Sequence, residues 1–90
     1  MQENGFRKFL EGNGLTDKGV ASRMSKAKSA EDILGYSLDA AVDTDEMMYQ
    51  SIIKIQPHED PKHNPIQNAL RKYYIFKNGK EFPQLRYYKK

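Results

Sequence analysis

Apolar residues recur along this chain at steps of three and four, the spacing of one face of an α-helix. Phe6, Phe9 and Leu10 form the first such stripe and predict a helix over 3–11. Gly12 and Gly14 stop it, because glycine readily takes the left-handed conformation used at helix C-termini. Thr16 is a good N-cap for a second helix, and Asp17 suits the positive end of its dipole. Val20, Met24, Ala27, Ala30 or Glu31, and Leu34 carry that helix to Gly35. Gly19 weakens its first turn. Ser29, followed by Ala30, Glu31 and Asp32, offers a second cap that would split it.

Leu38, Ala41 and Val42 predict a short helical turn. Thr44 then caps a third helix over 45–55, with Met48, Ile52 and Ile55 inward and Pro57 closing it. The stretch PHEDPKHNP reads as a loop, since its prolines break regular structure. Asn64 and Pro65 signal a fourth helix, as an N-cap followed by proline in the first turn. Its stripe is Ile66, Ala69, Leu70, Tyr73 and Phe76 or Lys77, and Gly79 ends it. KYYIFK has strand propensity, but its apolar spacing continues the helix. The expected fold is therefore all-α, a small four-helix bundle over residues 1–80. Residues 81–90 form a basic tail, in which Phe82 and Leu85 are placed to dock.

Ninety residues make one domain, near the small end of those that fold alone. The chain has no cysteine, which excludes disulfides, thiolate metal sites and cysteine nucleophiles and fits a reducing cytoplasm. No apolar run reaches membrane-spanning or signal-peptide length.

Charge sharpens the picture. Residues 1–30 carry six Lys/Arg against three Asp/Glu, residues 31–60 one against eight, and residues 61–90 eight against one. The acidic middle can pair with the basic ends, and a basic face can also bind anions.

Candidate chemistry is sparse. His58 and His63 match no zinc spacing and lack a third ligand, so a solvated loop is the simpler reading and no metal or cofactor is expected. Asp39, Asp43, Asp45 and Glu46 lack the glycine register of an EF-hand and read as caps and a solvated face. Tyr73 falls on the apolar stripe. Tyr74 falls off it, available to a ligand. Tyr87 and Tyr88 lie among cations, an arrangement that serves single strands or phosphates as readily as a packed or frayed end. Lys18, Ser22, Arg23, Lys26 and Lys28 lie off the stripe of the second helix. Asn64, Gln67, Asn68, Arg71 and Lys72 lie off that of the fourth. Such residues can read base edges and neutralise phosphates.

At these positions the chain resembles the core-binding, SAM-like N-terminal domain of phage integrases and other tyrosine recombinases. In that family an F..YL helix leads to GLS..T, and here stands FRKFLEGNGLTDKGVASRM. The family's last helix reads like ALR.FY.F before a glycine turn, and here stands NALRKYYIFKNGKEF. The resemblance implies a DNA-recombination module whose second and fourth helices face duplex DNA. The contact residues it implies are Thr16, Lys18, Ser22, Arg23 and Lys26 on one helix and Asn68, Arg71 and Lys72 on the other. Arg23 stands where the family often has an aromatic residue, and the acidic middle is unusual. The family's catalytic arginine, histidine and tyrosine have no place in these ninety residues, so no catalytic residue and no small-molecule substrate are expected. A second reading stays open, in which a protein partner docks on the acidic segment 39–46 or on the basic face.

Overall fold

Thr16 Oγ1 accepts a hydrogen bond from Gly19 N at 3.1 Å, and the chain turns there into its longest helix. In the computed structural model, which describes residues 1–88, the same device recurs twice. Ser37 Oγ accepts from Ala40 N and Thr44 Oγ1 from Met47 N. These hydroxyls satisfy amides that have no partner within their own helix. The elements are α1 (Glu3–Gly12), α2 (Asp17–Leu34), α3 (Leu38–Ala41), α4 (Asp45–Ile55) and α5 (Pro65–Asn78). Two 3₁₀ turns follow α4 and α5, at Gln56–His58 and Leu85–Tyr87. The described residues contain no strand, only one isolated bridge between Asp60 and His63. The fold is an all-α bundle of four main helices plus the short α3.

The periodic stripes locate the core. Phe6, Leu10, Val20, Met24, Ala27, Ala30, Leu34, Met48, Ile52, Ile55, Ala69, Leu70 and Tyr73 are all buried. Phe9 is only partly buried and packs at the edge against Phe76, with ring centroids 5.5 Å apart. Gly35 and Gly79 end α2 and α5 with φ of 78° and 73°, the left-handed region that favours glycine. Gly5 lets α1 lie close on α5, since a Cβ there would sit 3.0 Å from Phe76 Cζ.

Two expectations need correction, and the alternative of a split second helix falls away. Ser29 does not split α2. Its hydroxyl donates back to Ser25 O at 3.2 Å, and the helix runs unbroken through it. Asn64 occupies the N-cap position of α5, but its side chain caps nothing. Glu59 does that work from the preceding loop, accepting from Ile66 N at one carboxylate oxygen and from Gln67 N, at 3.0 Å, at the other. Tyr74 is not available to a ligand. It is 2% exposed, because the tail folds over that side of α5. Its ring meets Phe82 edge-on at 5.2 Å, and its hydroxyl donates to Asp45 at 2.8 Å. Burial and that hydrogen bond push the phenol up to about 12.

Candidate nucleic-acid interface

α2 and α5 pack side by side more extensively than any other pair of elements. Their alanines permit this. Ala27 and Ala30 of α2 and Ala69 of α5 are fully buried, and small side chains let helix axes approach. The polar faces of both helices therefore border a common surface. On it lies an open cleft of about 840 Å³.

Arg23 lines this cleft from α2, and Asn68, Arg71 and Lys72 line it from α5. Four of the eight residues implied by the resemblance are thus brought together. Lys18, Ser22 and Lys26, at successive steps of four, share another strip of α2 and do not line the cleft. Lys18 and Ser22 are exposed, and Lys26 is partly buried. Thr16 is exposed, but its hydroxyl is occupied as the α2 cap.

Arg71 is the main departure from the expected interface. It is half-buried, and Nη1 donates to Phe82 O at 2.9 Å and to Pro83 O at 3.3 Å. Its guanidinium also lies 5.9 Å from the Phe82 ring centroid. Burial lowers its pKa from the ordinary guanidinium value, opposed by the charge of Glu81. Arg71 is committed to holding the tail, so it is not an exposed cation waiting for phosphate. Among the described residues, Lys18, Arg23, Lys26 and Lys72 form no ion pair within the chain.

The sequence reading missed Gln56, Gln84 and Arg86, which also line the cleft. Arg86 comes from the tail, and its guanidinium lies 4.9 Å from the Tyr87 ring centroid. Its position could have been inferred only by following the docking of Phe82 to its consequence for the next turn. The side-chain amides of Gln56, Gln67, Asn68 and Gln84 have no hydrogen-bond partner among the described residues. They leave donors and acceptors facing a basic cleft, a combination suited to base edges beside phosphates.

The acidic segment lies against α5 and the Met1 ammonium. Tyr73 accepts from Gln2 N at 2.9 Å and donates to Asp39. Asp39 also pairs with the Met1 ammonium at 3.4 Å and with Lys77 at 3.7 Å, and Glu31 holds the same ammonium at 3.0 Å. Asp43 and Glu46 remain on the exposed side, with Glu46 accepting from Gln50. His58 and His63 are both exposed, and the Glu59 between them is committed to the α5 cap. Among the described residues no three His, Cys, Asp or Glu side chains converge as a metal site would require. No helix among them is long and apolar enough to cross a membrane.

No family model, curated protein or solved structure matches this chain.

Proposed function

We propose that this chain is a non-catalytic, cytoplasmic module that binds duplex DNA through α2 and α5, in the manner of the recombinase core-binding domain it resembles. The observation that carries this reading is the shared cleft. Arg23 from one helix and Lys72 from another line it with no acid partner among the described residues, beside side-chain amides of Gln67 and Asn68 that have no partner among them either. Cations there release counterions from a phosphate backbone, and amides give the groove hydrogen bonds. Recombination chemistry, on this reading, belongs to a separate domain.

Fluorescence anisotropy with a labelled duplex at several salt concentrations tests it. Arg23→Glu combined with Lys72→Glu should weaken binding and reduce the log–log salt slope by about 1.8, at roughly 0.9 per lost phosphate contact. Circular dichroism should stay unchanged, since neither side chain is in the core. An unaltered slope would remove the DNA reading. NMR shifts confined to Asp43 and Glu46 on addition of a protein, with none near Arg23 on addition of DNA, would favour the docking of a protein partner instead.

A further inference from the structure

The segment that follows α5 forms a strap anchored at several points. Phe82 is 4% exposed and sits between Tyr74 and Tyr88, each ring centroid 5.2 Å away. Tyr88 in turn stacks on Tyr49 of α4 at 5.1 Å with 23° between the rings. Leu85 packs partly against the core. Arg71 closes the arrangement with two hydrogen bonds to consecutive strap carbonyls. The result places Gln84 and Arg86 on the cleft already lined by Arg23 and Lys72. Arg86 is exposed and pairs with no carboxylate among the described residues.

On the DNA reading above, we propose that the strap is a second jaw of the cleft, in which Arg86 contacts a phosphate and Arg71 is the positioning residue that sets the jaw. A guanidinium suits the second task. Its planar group holds the N–H donors in fixed directions, and Nη1 alone reaches both consecutive carbonyl oxygens. Arg71 then affects DNA without touching it. Glu81 lies on the same cleft and limits how much cationic charge the strap adds.

The test is salt-dependent anisotropy with the same labelled duplex on the full chain carrying Arg86→Gln, Arg71→Gln, or both. Arg86→Gln should lower the log–log slope by about 0.9. Arg71→Gln should lower it by the same amount, and the double variant by no more, because both act through one contact. Amide resonances from Phe82 to Tyr88 should broaden or shift in Arg71→Gln and stay in place in Arg86→Gln. Losses that add to about 1.8 would make Arg71 a phosphate contact in its own right and overturn its positioning role. A normal slope in Arg86→Gln, alongside a reduced one in Arg23→Gln, would overturn the jaw and leave the DNA reading standing. Absence of duplex binding by the unaltered chain would overturn both. Arg86 is exposed, so its variant keeps the test open even if Arg71→Gln unfolds.

Discussion

Asp39 faces three donors: the Tyr73 hydroxyl, the Met1 ammonium and Lys77 Nζ. Burial alone would push its carboxyl up, but these donors together outweigh burial and hold it below the ordinary 3.8. A carboxyl depressed in the folded state adds stability above its unfolded value and loses it as pH falls through the folded one. The contribution is therefore present at neutral pH and fades below about pH 4. Asp39 is 38% exposed, so solvent screens the effect to a modest size. Asp39→Asn should lower the melting temperature at neutral pH and flatten its decline between about pH 4 and 2. Thermal melts across that range check this, and an acid limb as steep as the unaltered protein's would remove Asp39 from the network. Arg71 teaches a related lesson. Its place off the apolar stripe reads as solvent-facing in one helix considered alone, and only the returning tail converts it into a hydrogen-bonded strut.

α5 shows how an element can be legible in place and not in cause. Asn64-Pro65 marks its first turn, and the helix does begin at Pro65. The amides of Ile66 and Gln67 are nevertheless met by Glu59, seven and eight residues earlier. Capping patterns in sequence are local, spanning an N-cap and the next three residues, so no such pattern points to Glu59. The intervening loop must first fold back, helped by Asp60 accepting from Lys62 N at 2.7 Å. Glu59→Gln loses the charge and part of the two-amide cap. It should cost about 0.5–2 kcal/mol, the range for a lost N-cap. Asn64→Ala should stay within about 0.5 kcal/mol, as an ordinary surface change. Urea unfolding of the two variants distinguishes them, and the opposite ranking would return the cap to Asn64.

For the whole molecule, the segregated charge has a structural use. The acidic middle supplies Asp39 and Asp45 to Tyr73 and Tyr74, and Asp39 also reaches Lys77. This anchors the acidic segment on one side of α5, while Asn68 and Lys72 line the cleft. Leu70 sits at the centre of the assembly with no exposure. Leu70→Ala should cost about 2–5 kcal/mol through lost transfer energy and the cavity left behind. In a domain of this size that is a large share of the total. A urea melt within about 0.5 kcal/mol of the unaltered protein would remove Leu70 from the core and shift the register of α5.

What the sequence determined by itself is the set of helices and nearly all of their buried faces. Helical periodicity, hydroxyl caps at Thr16 and Thr44, and glycine stops at Gly35 and Gly79 are local physics, decided within a few residues. Only the tertiary structure decided the roles of Glu59, Arg71, Tyr74 and Arg86. Each depends on a segment distant along the chain arriving beside it, through the loop that brings Glu59 to α5 or the strap that brings Phe82 onto Tyr74 and Arg71. A polar side chain off an apolar stripe has no assigned partner in sequence. Whether it meets solvent, a carbonyl or a ligand is settled when non-local burial chooses what lies against it.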